Sequence, residues 1–248
     1  MLRTELTQWI DDLLQVSQFK DYAPNGLQVE GCLNVQKILC AVTASRAVIE
    51  KAIEIQADTL LVHHGMFWKS EPSTIIGWKK QRIFKLLQNN INLLAYHLPL
   101  DAHPEIGNNA QLAQKLGYTV CQQVEEQGLL SLCISQEKQT LNQLSQKITH
   151  TLKRQPLVIG DGNQTIHRIG ICTGGGQSFF QAATLYGIDA FITGEASEAQ
   201  YHLANETNTA FIAAGHHATE RYGIQALSQK IQQQWGVECV FFDEENPI

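Results

Sequence analysis

The sequence predicts an α/β fold built from two pseudo-repeated domains with mainly parallel sheets, and three observations carry that expectation. Apolar runs without period-2 alternation, at residues 38–42, 60–62 and 91–96, have the pattern of strands covered on both faces. They alternate with helical stretches near residues 45–55 and 78–87, the order of βαβ units. The chain also repeats itself. Residues 37–43 and 58–65 line up with 168–173 and 189–195, and residues 92–101 with 210–220.

The elements follow in order. Leu6, Ile10, Leu13 and Leu14 recur at helical spacing, and Ala23-Pro24-Asn25-Gly26 supplies turn chemistry that ends the opening helix segment. After the first βαβ series, residues 128–134 read as a strand, 140–153 as a helix and 156–159 as a short extended piece before the turn at 160–163. The second series then gives strands at 169–172, 190–193 and 210–214, with helices near 178–185, 197–204 and from about His216, and a last strand at 237–242. Residues 1–125 are therefore expected as the first α/β domain and 126–248 as the second, with the C-terminal elements free to pack on the first.

Composition narrows the function classes. With 248 residues and 44% hydrophobic content, the chain can bury a substantial core. A net charge of -6 with only 18 Lys+Arg argues against a general nucleic-acid surface, since phosphate neutralisation needs clustered basic side chains. A small-molecule substrate is the expected partner. The N-terminal residues are interrupted by acids and lack the apolar core of a signal peptide, and no segment approaches a membrane span, so a cytoplasmic protein without membrane contact is expected. The six cysteines fall at wide spacings without a C-x-x-C pair, which reads as reduced thiols.

Three groups of metal-type ligands fall at predicted strand ends, where loops of an α/β sheet converge on ligands. His63-His64-Gly65 closes one strand; Gly65 permits the bend that lets adjacent imidazoles reach one site. His97 closes another, followed by Asp101. His216 and Glu220 stand four apart at the start of a predicted helix, on one helical face. Taken singly, the His63-His64 pair fits a packed or surface pair as well, and His216-Glu220 fits a helix-stabilising contact. His97 fits a ligand, an orienting residue or a proton shuttle. Jointly they suggest one composite metal site at the junction of the two halves. Imidazole with carboxylate suits Zn, Mn, Fe or Ni, which this donor set does not distinguish. His63, His64, Asp101, His216 and Glu220 exceed what one tetrahedral ion needs, so two divalent ions per chain are expected, a pairing typical of hydrolases. Thr173-Gly174-Gly175-Gly176, between a strand and a helix, fits either a phosphate cradle or close packing, and Glu195 or Glu198 a nearby polar group.

The strings DYAPNGLQVEG (from Asp21), ADTLLVHHGMFWK (from Ala57), YHLPLDAHPEIGNNAQLA (from Tyr96), CTGGGQSF (from Cys172), DAFITGE (from Asp189) and AAGHHATERYGI (from Ala213) together resemble the Nif-three-like family, whose members carry the name GTP cyclohydrolase 1 type 2 homologue. The resemblance spans nearly the whole chain, which looks like the compact bacterial members. It implies two α/β domains, a toroidal homohexamer with metal sites facing its cavity, and a dinuclear centre with His63, His64, Asp101, His216 and Glu220 as ligands. The expected function is a dinuclear metal-dependent hydrolase of a nucleotide or related heterocycle, with GTP ring opening and formate release as the named candidate. His97 would shuttle protons, and Glu220 or Asp101 would bridge the ions. A metal phosphoesterase and a non-enzymatic metal-binding assembly or regulatory protein are the alternatives.

Overall fold

Leu6 and Ile10 recur at helical spacing, and both are fully buried beneath α1 (Arg3–Leu13) in the computed structural model, which describes residues 1–248. The chain forms two units, Met1–Leu100 with Gly223–Glu245 and Asp101–Tyr222 with Asn246–Ile248. In the first, β1 (Gly26–Val29) precedes β2 (Lys37–Thr43), α2 (Arg46–Glu54), β3 (Thr59–His64), α3 (Gly77–Gln88) and β4 (Asn92–Ala95), and α4 (Leu98–Ala102) leads out. Ser45 starts α2 by accepting the Val48 N–H at 3.1 Å, satisfying a donor that the first turn leaves open. β2 and β3 are buried through their centres, as continuous Val, Ile and Leu runs require. Leu39, Leu60, Val62 and Leu93 pack with Val48, Ile49 and Leu86 from the helices.

The second unit holds α5 (Asn108–Lys115), β5 (Tyr118–Val124), β6 (Leu130–Thr140), α6 (Leu141–Leu152), β7 (Leu157–Ile159), β8 (Thr165–Ile171), α7 (Phe180–Thr184), β9 (Ala190–Thr193), α8 (Glu198–Thr207), β10 (Ala210–Ala213) and α9 (His216–Thr219). Its six-stranded sheet runs β5-β6-β8-β9-β10-β7. The centre, β8-β9-β10, is parallel, while β5, β6 and β7 pair antiparallel. Ile169, Ile171, Ile192 and Ile212 pack with Leu144 and Ile148 of α6. On the other face, the rings of Phe180, Phe191 and Phe211 pack together, each pair 5.0–5.9 Å apart between centroids.

The chain then returns. α10 (Arg221–Trp235) leads to β11 (Glu238–Phe241), which pairs parallel with β2 and completes the first sheet in the order β1-β4-β3-β2-β11. That sheet is parallel except for β1, which pairs antiparallel with β4. The division falls after Leu100 instead of at 125, because β5 pairs with β6 and so belongs to the second sheet. The turn at Ala23–Gly26 also opens directly into an edge strand, since Gly26 adopts φ +93° and aligns with Ala95. No helix is long and apolar enough to cross a membrane.

The repeat is legible in backbone pairing. Asp58 accepts the N–H groups of Gln36 and Lys37 at 2.7 and 3.0 Å; Asp189 accepts those of His167 and Arg168, both at 2.8 Å. Each carboxylate thus holds the neighbouring strand just before its parallel pairing begins, at the start of β2 and in the middle of β8, and the two pairs share one register, Ile38 opposite Thr59 and Ile169 opposite Ala190.

Candidate metal centre

In the first unit, β3 and β4 end side by side, because Leu60 pairs with Leu93 and Val62 with Ala95. That register carries His63 and His64 beside His97. The imidazole donors of the three all lie within 4.8 Å of one another. His63 is fully buried, and the other two are partly buried. Gly65 permits the close approach: a Cβ there would lie 2.6 Å from the Cβ of Ala95 and 2.3 Å from Oε1 of Gln28, whose carboxamide oxygen accepts the Met66 N–H.

Each ring is held by its Nδ1. His63 Nδ1 donates to the carbonyl of Tyr96 at 2.9 Å, His97 Nδ1 to Oδ1 of Asp21 at 2.7 Å, and His64 Nδ1 pairs with the Thr43 hydroxyl at 3.2 Å. An acceptor on Nδ1 fixes the tautomer and leaves Nε2 as the lone-pair donor, the arrangement common to metal-binding histidines. Asp21 is itself built in. Its carboxylate accepts the N–H groups of Tyr22 and Leu98 and the Asn25 amide as well. Burial would raise its pKa, but the bond and charge of His97, with Asn25 and Leu98, hold it down at about 2.

In the second unit, Gly215 turns with φ +99° at the end of β10 and starts α9, which puts His216 and Glu220 a turn apart. Nε2 of His216 lies 3.2 Å from Oε2 of Glu220, and Nδ1 lies 2.6 Å from Oε1 of Glu195. Burial pulls the imidazole pKa down, yet the hydrogen bonds and charges of Glu220 and Glu195 override it and raise it to about 9. Asp101 is buried, with Oδ1 accepting from the Asn108 amide at 2.8 Å and near the Thr173 hydroxyl at 3.5 Å. Asp101 and Glu220 both stand close enough to the buried Cys172 to add their charge to the burial that pushes its thiol pKa far up, which keeps it an unreactive thiol.

Gly174 makes room for this set. Its φ is +62°, and an ideal Cβ there would fall 1.9 Å from Oε1 of Glu220 and 3.1 Å from Nε2 of His216. Its N–H donates to the Thr219 hydroxyl at 3.0 Å, and its carbonyl accepts from the Gly194 N–H at 2.8 Å. Close approach is thus the role of the first glycine of the triple; Gly176 makes the same kind of room for the Cys172 sulfur.

Oriented imidazoles in the first unit, and buried carboxylates beside an imidazole in the second, are each donor sets that suit a divalent first-row ion. The chain is matched over residues 1–247 by the family model described as Duf34/NIF3, NGG1p interacting factor 3. It belongs to the DUF34/NIF3 family. A Neisseria meningitidis family member named GTP cyclohydrolase 1 type 2 homolog is 54% identical, with 100% of this chain and 99% of that protein covered. One of the same name from Escherichia coli K12 is 49% identical, with both covered in full. Among solved structures, a structural-genomics protein of unknown function, ybgI, superposes at TM-score 0.97 with 48% identity, and a Thermus thermophilus protein at 0.92 with 36%; each match covers 100% of both chains.

Two further histidines of this family member serve elsewhere. His202 pairs with Glu198 on the surface at 2.8 Å, and His103 Nδ1 accepts the N–H groups of Glu105 and Ile106 in a turn. Asp21, Thr43 and Asn108 hold the site residues, yet sequence reasoning did not single them out. Asp21 lies 76 residues from His97, beyond any periodic signal; only its place in the DYAPNG string pointed to it.

Proposed function

We propose that the chain is a dinuclear metal-dependent hydrolase acting on a nucleotide or related heterocycle, with GTP ring opening and formate release as the named candidate. The observation that carries this reading is the anchoring of each imidazole through Nδ1 while one ring nitrogen of each of His63, His64 and His97 lies within 4.8 Å of the others. The names of the relatives support the candidate substrate. His63 and His64 of the first unit, and Asp101, His216 and Glu220 of the second, would hold divalent ions, which would supply Lewis acidity and a water of lowered pKa.

The chain's own residues do the rest. His97 takes up and returns protons through Nε2, with Asp21 keeping its ring in place. Asn108 and Thr173 orient Asp101, and Glu195 orients His216. From the family resemblance we also propose a homohexamer as the working form, which native mass spectrometry would report directly. The deciding experiment measures metal content by elemental analysis beside formate and phosphate release from GTP with added Mn, Zn or Fe. About two metals per chain with metal-dependent formate release supports the reading. Phosphate release in place of formate moves the function to a phosphoesterase, and tight metal without turnover moves it to a binding role.

A further inference from the structure

The loop after β3 does something the metal site alone does not require. Phe67 adopts φ +72°, a left-handed backbone that a bulky side chain rarely takes. Its ring packs against the first unit's core, with the Lys79 amine 5.1 Å from its centroid. Lys79 is buried and also donates to the Pro72 carbonyl at 3.1 Å, so the loop is pinned at two places. At this step Phe67 packs inward and Trp68 stands beside the histidines. Trp68 meets His97 edge-on, 5.0 Å between centroids and 86° between planes, and stands 5.9 Å from His64.

A second aromatic stands by His97. Tyr22 is 64% exposed, with its ring centroid 6.4 Å from that of His97. The two loops are tied together: the Lys69 N–H donates to the Tyr22 carbonyl at 2.8 Å, and the Lys69 amine to the Asp21 carbonyl at 2.5 Å. An ammonium has three donors, so Lys69, an exposed residue in a chain of net charge -6, keeps donors for an anion. A tyrosine exposed to this degree contributes little to folding, and a bulky residue held in left-handed backbone is strained.

We propose that Trp68 and Tyr22 form an aromatic subsite that binds the planar heteroaromatic ring of the substrate beside His97 and His64, with Lys69 receiving an anionic substituent such as a phosphate. The inference rests on the hydrolase reading for its substrate class and adds the residues that select it. Every nucleobase or fused heterocycle has a π-face that such rings accept, so selectivity falls on planarity and charge more than on one base.

The test is equilibrium binding by calorimetry to the metal-loaded protein, using GTP, guanosine and ribose 5-phosphate as probes. Trp68→Ala and Tyr22→Ala are expected to weaken GTP and guanosine by about tenfold or more each, with ribose 5-phosphate affinity unchanged. Trp68→Phe should keep most of the affinity, and metal content should stay at the wild-type level in all three, because neither residue is placed as a ligand. Lys69→Ala should weaken GTP while sparing guanosine. Unchanged GTP and guanosine affinity in Trp68→Ala with metal retained overturns the subsite, even if formate release is intact. Loss of heterocycle binding in that variant, in a protein that turns over nothing, keeps the subsite and sinks the hydrolase reading.

Discussion

Glu220 occupies the space that a side chain at Gly174 would need, with Oε1 only 1.9 Å from where a Cβ would stand. The left-handed backbone of this glycine and the carboxylate's position are thus one requirement, met by residues 46 apart in the chain. Gly174→Ala should therefore push Glu220 off its position and strain the backbone. The expected result is a loss of about 2 kcal/mol of stability together with reduced metal retention, read by thermal unfolding and elemental analysis. Gly175→Ala, whose Cβ meets nothing closer than 3.7 Å, should be far milder on both readouts.

Glu195 and Glu220 hold a proton on His216 by gripping its two ring nitrogens. The imidazole pKa of the metal-free protein is raised to about 9, above the ordinary value of 6.5. Its pairing therefore contributes stability fully below about pH 6.5, and this is lost as pH rises through about 9. A metal must displace that proton, so affinity should climb with pH up to about 9. Glu195→Gln should lower the His216 pKa in an NMR titration and weaken metal binding about tenfold or more. An unmoved titration would refute the pairing.

Asp21 works with the opposite sign. Its pKa is held at about 2, below the ordinary 3.8, so its contribution is fully present above about pH 3.8 and lost as pH falls through about 2. Asp21→Ala removes the acceptor of His97 Nδ1 and of the buried Leu98 N–H, and is expected to cost about 3 kcal/mol in urea unfolding. Asp21→Asn should fold better than Asp21→Ala but leave His97 mis-set, so it should lower kcat more than it raises KM.

Asp58 and Asp189 give the repeat a stability test. Each carboxylate accepts two backbone N–H groups of its neighbouring strand just before the parallel pairing begins. Asp58→Ala and Asp189→Ala should destabilise by similar amounts, about 1–3 kcal/mol, measured by denaturant unfolding. A large loss for one and none for the other would show that the two caps have diverged in role.

Much of the fold was legible because its causes are local. Residues 38–42 and 60–62 are apolar without alternation, which suits strands covered on both faces, and the repeat aligned the segment from Asp58 with that from Asp189, whose strands share one register in the fold. His63, His64, Asp101, His216 and Glu220 stood out by type and by position at strand and helix ends. β1 and β5 escaped because their residues are half-exposed at sheet edges and carry no strong period. Their membership is set by partners far along the chain.

What the sequence determined by itself is the kind of elements and the kind of donors, since hydrophobic period and side-chain chemistry are properties of neighbouring residues. Tertiary structure alone decided which acceptor holds each ring: Tyr96 for His63, Thr43 for His64, Asp21 for His97 and Glu195 for His216. It also decided that Gly174 gives way to Glu220 and that β11 closes the first sheet. Hydrogen bonds and close approaches depend on distance in space, and chain folding brings together residues whose separation in sequence carries no trace of that distance.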